Sequence, residues 1–173
     1  MKKVFALMTL MAVMAMVVVS CSSDDDDTDS TENRLKFANA LTRNSTSATW
    51  EGYDKAQRKE FGNWVDARQS YVVMRFDRTS TSATNGTGLL LTFENSYKET
   101  FKERSEFTWY FDDDMLKIDY RHQGWTPVYA EYRTNELVIN GDTFTGFWFE
   151  ETSFRYKFSY TKSDFNKWDD YKD

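Results

Sequence analysis

The chain has 173 residues, of which 22 are basic and 28 acidic, so its net charge at pH 7 is −6. A chain with this acidic balance has no positive field for a phosphate backbone, and we expect no nucleic acid partner. One cysteine and one histidine are too few for a disulfide or a zinc site. The folded part must therefore be held together by packing and hydrogen bonds, and its length suits one domain.

Residues 1–20 have the pattern of a secretory signal peptide. Two lysines precede an apolar run from Val4 to Val19, which is shorter than the ~20 residues that an ordinary membrane-spanning helix needs. The stretch Val18-Val19-Ser20-Cys21 resembles a bacterial lipobox, in which cleavage leaves the cysteine at the new N-terminus to receive acyl chains. Cys21 is therefore the predicted lipidation site, and the resemblance implies a membrane as partner through the N-terminal lipid.

Residues 21–44 are predicted to join this lipid to the folded domain. Ser22–Asn33 is rich in Ser, Asp, Thr and Glu, which bury little apolar surface, so we expect a solvated acidic tether. Only Glu32–Leu41 has the character of a short helix. The order Cys-Ser-Ser-Asp-Asp resembles the surface-export signal of one phylum of Gram-negative bacteria. We therefore expect an outer-membrane lipoprotein that faces the cell surface, with the periplasmic face as the alternative.

Residues 45–173 are predicted to form one all-β domain. Of the 30 aromatic residues, 29 lie beyond the signal peptide, and aromatic side chains favour the half-buried surface of a sheet. Alternation is clearest from Phe154 to Tyr160, where four rings share one face and Arg155, Lys157 and Ser159 share the other. Similar patterns predict strands around Thr49–Tyr53, Tyr71–Phe76, Leu89–Phe93, Phe107–Phe111, Leu116–Tyr120, Val128–Tyr132, Glu136–Asn140 and Thr143–Phe149.

Short turns join these predicted strands. Asn140-Gly141 is a strong hairpin signal, because both residues tolerate the positive φ of a type I′ turn. Three more turns are indicated at Asp112–Asp114, His122–Gly124 and Glu150–Thr152. Sequential strands joined in this way form an antiparallel up-and-down meander, and about eight of them can close into a barrel without exposed edges. A sandwich is the competing fold, since the stretch Asp77–Gly88 could hold its return connection.

Several strand motifs are similar to those of small bacterial lipoproteins with a lipocalin-like domain. Ala48-Thr49-Trp50-Glu51-Gly52 resembles the Gly-x-Trp opening of lipocalin-like proteins, with alanine in place of the first glycine. The later matching segments are Asn85–Gly88, Phe107–Phe111, Met115–Ile118 and Phe144–Phe147. The similarity covers residues 45–162, and it implies a lipocalin-like barrel while implying no particular ligand.

The rings of such a barrel carry the functional hypothesis. If rings line a space inside it, they form a cup that binds a small apolar ligand without covalent chemistry. The residues expected to line that cup are Trp50, Trp109, Phe111, Phe147, Phe149 and Tyr156. The alternative is a solid barrel that recognises a glycan or a protein through exposed Trp125, Tyr129 and Trp148. A slip of one residue in register exchanges the two faces of a strand, so both hypotheses stay open.

Catalysis is not predicted. The single imidazole, His122, falls in an expected turn, where it lacks the surroundings of a preorganised base. Asp112–Asp114 has the carboxylates but not the loop of a calcium site. Glu150 and Glu151 cannot act together as the carboxylate pair of a glycosidase, because adjacent residues on a strand point to opposite faces. We therefore expect no enzyme activity, no metal and no cofactor; an enzyme would need a carboxylate pair that only folding brings together.

Overall fold

The computed structural model describes residues 26–120, 126–132 and 136–171. The predicted signal peptide, Cys21, the start of the tether and the predicted turn His122–Gly124 lie outside the described residues. The helix α1 spans Asp26–Leu41. The strands β1 to β9 span Ser47–Glu60, Asn63–Asp77, Asn85–Phe93, Phe101–Asp112, Met115–Tyr120, Val128–Glu131, Val138–Asn140, Thr143–Glu151 and Phe154–Ser163, and a 3-10 turn follows at Trp168–Asp170.

The strands form one antiparallel sheet that closes on itself. Along the sheet the order is β6-β5-β4-β3-β2-β1-β9-β8-β7, and β6 also pairs with β8 through Tyr129 and Phe149. Strands β1 to β6, β8 and β9 therefore make a closed eight-stranded barrel, while β7 pairs with another part of the β8 edge. This arrangement confirms the predicted antiparallel meander and lipocalin-like barrel, and it replaces the sandwich.

Tight turns connect most successive strands, with small differences from the predicted positions. The β7–β8 turn has Gly141 and Asp142 at its centre, because Asn140 already pairs with Thr143. Gly141 has a φ of 59° and Asp142 has no positive φ, which fits a type II′ turn instead of the predicted type I′. The predicted turn between β4 and β5 is present, and Asp113 at its centre has a φ of 48°.

The first two strands are much longer than the sequence predicts. Residues 54–70 are mostly polar and lack regular alternation, yet main-chain pairing of β1 with β2 continues as far as Glu60 and Asn63. Phe61 and Gly62 close this hairpin with φ angles of 49° and 87°. Main-chain hydrogen bonds do not depend on apolar side chains, so a hairpin can extend beyond the part that alternation marks.

The helix packs across one end of the barrel, which we call the closed end. Ala38 and Leu41 are fully buried in the core, and the Nε1 of Trp50 donates a hydrogen bond to the Leu41 carbonyl at 2.8 Å. Arg78, at the end of β2, donates from Nη2 to Oδ1 of Asn39 at 2.7 Å. α1 begins six residues before the predicted helix start, because packing of its last turns on the barrel supports a helix that would be too short alone.

The C-terminal segment covers part of the outer face of the sheet. Trp168 packs in a second cluster with Val73, Leu91 and other outward residues of β2 and β3. Arg104 on β4 donates from Nη1 to the carbonyls of Trp168 at 3.1 Å and Tyr171 at 2.9 Å. Because both faces of the sheet are buried here, β2 and β3 contain continuous apolar runs instead of alternation.

Candidate binding cavity

The closed half of the barrel is filled with aromatic rings. Trp50, Phe76, Trp109 and Phe144 are each at most 1 % exposed. The ring of Phe76 lies 6.1 Å from that of Trp109 and 6.3 Å from that of Phe144, both in edge-to-face geometry. Rings at these distances pack efficiently and leave no space for a ligand between them.

The interior changes toward the end opposite α1, which we call the open end. On β1 the inward positions after Trp50 include Asp54 and Ala56, and their partners on β2 are Ser70 and Arg68. These side chains are too small or too polar to fill the barrel, and a cavity of about 280 Å³ remains. Its lining consists of Asp54, Ala56, Arg68, Ser70, Val72, Met74, Leu90, Thr92, Glu103, Tyr120, Thr126, Val128, Trp148, Glu150 and Tyr156. The volume is close to the lower limit of roughly 300 Å³ for drug-sized pockets, so the cavity suits a small ligand.

The cavity has an apolar floor and a polar upper wall. Met74 pairs with Leu90 on β3 and with Trp50 on β1, so this row adjoins the filled half. We define the apolar floor as Val72, Met74, Leu90 and Val128, all of which are buried. We define the acidic wall as the carboxyl side chains of Asp54, Glu103 and Glu150. A ligand with an apolar body and a polar head would meet a matching surface at each end.

Asp54 is a carboxyl group whose pKa is strongly raised by its place in the cavity. Burial raises its pKa from the ordinary value of 3.8 to about 7, and the hydrogen bond from the Tyr160 hydroxyl lowers it by a smaller amount. The ionisable groups that share the interior with it, from the other strands of the barrel, are Arg68, Glu103, Tyr120, Glu150, Tyr156 and Tyr160. Near neutral pH Asp54 is therefore present in both protonation states, and a small change in its surroundings shifts the balance.

Three phenols complete the polar part of the interior. Burial raises the pKa of Tyr120, Tyr156 and Tyr160 above the ordinary value, with the nearby carboxylates as a further cause. The hydroxyl of Tyr156 donates to Oε2 of Glu150 at 3.1 Å. The hydroxyl of Tyr160 donates to Asp54 and accepts from Nε1 of Trp148 at 3.4 Å. The phenols stay protonated at neutral pH, and those of Tyr156 and Tyr160 act as hydrogen-bond donors to carboxyl groups.

The charges of the cavity are unequal. Three carboxyl groups face one guanidinium, that of Arg68, which is exposed at the rim. In the part of the chain that the structure describes, no three His, Cys, Asp or Glu side chains form a group that could hold a metal ion. The three carboxyl groups nevertheless line one cavity, and their combined field favours a cationic group in the ligand.

Three of the predicted ligand-binding residues lie in or near the filled half. Trp50 is fully buried, and its indole donates to the Leu41 carbonyl. Trp109 is 1 % exposed, and its Nε1 lies 3.2 Å from the Asp77 carbonyl and 3.1 Å from that of Thr87. Phe111 is half-buried, with its ring 5.5 Å from that of Tyr132. None of these three lines the cavity.

The other three predicted residues are divided between the inner and the outer face of the barrel. Tyr156 lines the cavity, whereas Phe147 and Phe149 alternate with the inward Trp148 and Glu150 and so lie on the outer face of β8. Trp148 is only 3 % exposed, which corrects its place in the surface-recognition hypothesis. The strand carries rings on both faces, so the sequence pattern could not show which set points inward.

The outer rings contact one another and a basic side chain. Tyr129 stacks on Phe149 with ring centroids 5.5 Å apart. The guanidinium of Arg155 lies 4.2 Å from the ring of Phe147 and 4.2 Å from that of Trp64, so it contacts both rings. Trp125, the remaining ring of the surface-recognition hypothesis, lies outside the described residues. The outer rings thus have partners within the protein and support the wall of the barrel.

Sequence reasoning missed the acidic wall. Asp54 lies one residue beyond the predicted first strand, and Glu103 lies before the predicted start of its strand. The sequence pattern relates Glu150 only to its neighbour Glu151, and not to acids across the barrel. The spacing from the tryptophans is the signal that could have revealed these acids, because side chains an even number of residues apart on a strand share a face. Asp54 is four residues after Trp50, and Glu150 is two residues after Trp148, so each lies on the inward face with its tryptophan.

A second hollow of about 290 Å³ lies on the outer face of β2 to β4. Its two guanidinium groups already have partners. Nε of Arg75 contacts Oδ2 of Asp77 at 2.8 Å, and Arg104 donates to the carbonyls of Trp168 and Tyr171. Arg104 attaches the C-terminal segment and Arg75 is paired with an acid, so the inner cavity is the better candidate for a site.

The barrel and its cavity are the features from which a function can be inferred. Across residues 26–120, 126–132 and 136–171, no helix combines the length and the apolar character needed to cross a membrane. A scan against known protein families found no matching family, and a search of curated proteins found no relative of this chain.

Proposed function

We propose that the protein binds a small molecule non-covalently in the open half of its barrel. The observation that carries this proposal is the contrast within one closed barrel, whose closed half is packed with rings while its open half keeps about 280 Å³ free. Empty space in a protein interior sacrifices packing contacts, so a cavity of this size calls for a functional reason. The apolar floor supports a ligand with an apolar body.

Binding without catalysis is the form of the proposal. The single histidine and the single cysteine leave little scope for nucleophilic or imidazole chemistry. The phenols of the cavity are held protonated, which suits hydrogen bonding to a ligand better than attack on it. The three carboxyl groups that folding brings into the cavity are the feature an enzyme would need, and we propose that they serve ligand binding in a carrier or a sensor.

A cavity-filling substitution tests this function. The full-length protein in detergent is titrated with the neutral fluorescent probe N-phenyl-1-naphthylamine, and saturable binding is expected. Ala56 lines the cavity and is 6 % exposed, so Ala56→Phe should occupy the space and abolish saturation. The matched control is Ala67→Phe, because Ala67 is exposed on β2. Absence of saturable binding, or equal binding by the Ala56→Phe protein, would contradict the proposal.

We also propose that a lipid on Cys21 anchors the protein in the bacterial envelope. The support is the signal-like segment 1–20 and the lipobox-like stretch that ends at Cys21. α1 starts five residues after Cys21, and its last turn packs on the closed end of the barrel. Cys21→Ala should eliminate incorporation of labelled fatty acid and release the protein from membranes, whereas retention of label would disprove this anchor.

A further inference from the structure

We propose that the ligand of this cavity is a protonated amine with an apolar body. This inference rests on the proposed binding function, because it specifies the ligand class of the same cavity. It is carried by the placement of the acidic wall above the apolar floor and among aromatic rings. An ammonium group would lie at the wall, and the rest of the molecule would lie on the floor.

The charge of the wall selects for a cation. Arg68 is exposed, so water solvates its guanidinium, whereas Asp54 and Glu150 are partly buried. The charges of both carboxylates act on the same two phenols, Tyr120 and Tyr156, which places them around one part of the cavity. Carboxylates that line one small space give it a negative potential, and an ammonium group between them carries the charge that this potential favours.

The hydrogen-bonding capacity of the wall fits an ammonium group. A carboxylate offers about four lone-pair positions, and the described contacts use one phenol donor on Asp54 and one on Glu150. An ammonium carries donors and no acceptor, so it matches a wall made of acceptors. A carboxylate or phosphate ligand would instead meet charges of its own sign.

Aromatic side chains add to the fit. Tyr120, Trp148 and Tyr156 line the cavity with the acids. Aromatic faces attract cations at short range, so these rings favour the same ligand charge as the acidic wall.

Three probes of the same shape and different charge test the inference. They are 2-phenylethylamine, 2-phenylethanol and phenylacetate, titrated calorimetrically into the full-length protein in detergent at pH 8, where Asp54 is mainly ionised. We expect the amine to bind at least about tenfold more tightly than the alcohol, since hydrogen bonds to charged groups are the stronger class. The carboxylate probe should bind more weakly than either.

Matched variants show whether the acidic wall is responsible. Asp54→Asn and Glu150→Gln keep the size of each side chain, and each should weaken amine binding about tenfold while leaving the alcohol unchanged. The control is Asp119→Asn, because Asp119 is exposed on β5 outside the cavity. Folding of each variant is checked by circular dichroism, and unchanged alcohol affinity confirms that the cavity is intact.

The outcomes separate this inference from the function on which it rests. If N-phenyl-1-naphthylamine saturates the cavity but the amine binds no better than the alcohol, the amine inference is overturned and the binding function stands. The amine inference is also overturned if Asp54→Asn and Glu150→Gln bind the amine as the Asp119→Asn control does. If no probe of any charge saturates, the proposed function itself fails.

Discussion

The two halves of the barrel use their interior in opposite ways. In the closed half, rings that are at most 1 % exposed pack edge to face and are sealed by α1. In the open half, Asp54, Ala56 and Ser70 stand where rings could stand, and about 280 Å³ stays free. The contrast indicates that stability and binding are separated along the barrel axis, so each half can be altered without destroying the contribution of the other.

Ring removal should have the largest effect, and it should differ between the halves. Phe76 is fully buried among Phe107, Trp109 and Phe144, so Phe76→Ala should lower the free energy of unfolding by about 4 kcal/mol. Tyr156 is half-buried beside a cavity, so Tyr156→Ala should lower it by roughly 1–2 kcal/mol. Urea unfolding measures both values.

The reverse ranking, or equal losses, would break the contrast between the halves. Probe binding supplies the second readout. The Phe76→Ala protein, where it is still folded, should bind the naphthylamine probe as the unaltered protein does. The Tyr156→Ala protein should bind it with altered affinity, because Tyr156 lines the cavity.

Neutralising Asp54 should have the next largest effect, and the effect should depend on pH. The folded state holds the Asp54 proton more tightly than the unfolded state, with a pKa of about 7 against 3.8. The free energy of unfolding therefore falls as pH rises between these values and stays low above them. Asp54→Asn removes this loss, so the variant should be more stable than the unaltered protein at pH 8. The gain is at most about 4 kcal/mol, because each unit of difference between the folded and unfolded pKa corresponds to about 1.4 kcal/mol.

The advantage of the Asp54→Asn protein should shrink toward pH 4, where Asp54 is protonated in the folded state. Asp119→Asn is the control, because that carboxyl group is exposed and its replacement should change the free energy of unfolding equally at each pH. Urea unfolding at pH 4, 6 and 8 gives the profile, and a difference that does not change with pH would show that burial of Asp54 costs the fold nothing. A more stable variant that binds amines less well would mark Asp54 as a residue kept for binding.

Much of the fold could be predicted because strand alternation and turn residues are local signals. The rings from Phe154 to Tyr160 and the Gly141 turn indicate the last hairpins, and the structure has them. The polar part of the β1–β2 hairpin could not be predicted, since main-chain pairing up to Glu60 and Asn63 leaves no trace in side-chain type. The helical form of residues 26–31 continues a helix whose last turns pack on the barrel, and that packing is a tertiary effect.

The candidate site could be predicted only in part. It depends on which face of each strand points into the barrel and on which strands, distant in the chain, lie around the cavity. Tyr156 is a predicted site residue and lines the cavity, but Phe147 and Phe149 lie outside it on the same strand as the inward Trp148. Asp54 and Glu150 are 96 positions apart in the chain and belong to strands on either side of β9. They become neighbours of one cavity because β1 and β8 pair with opposite edges of β9, and this pairing is not visible in their spacing along the chain.

The contact between β6 and β8 that closes the barrel, which we call the seam, has few paired residues. Among the described residues, β6 and β8 are joined by the single pair Tyr129 and Phe149, whereas β1 and β2 stay paired from Ser47 to Glu60. A wall opens first where it has the fewest main-chain bonds, so local unfolding should begin between β6 and β8. Val128 and Glu150 border this seam and line the cavity. Local opening between β6 and β8 would thus enlarge the cavity through the barrel wall and leave the pairing of the other strands intact.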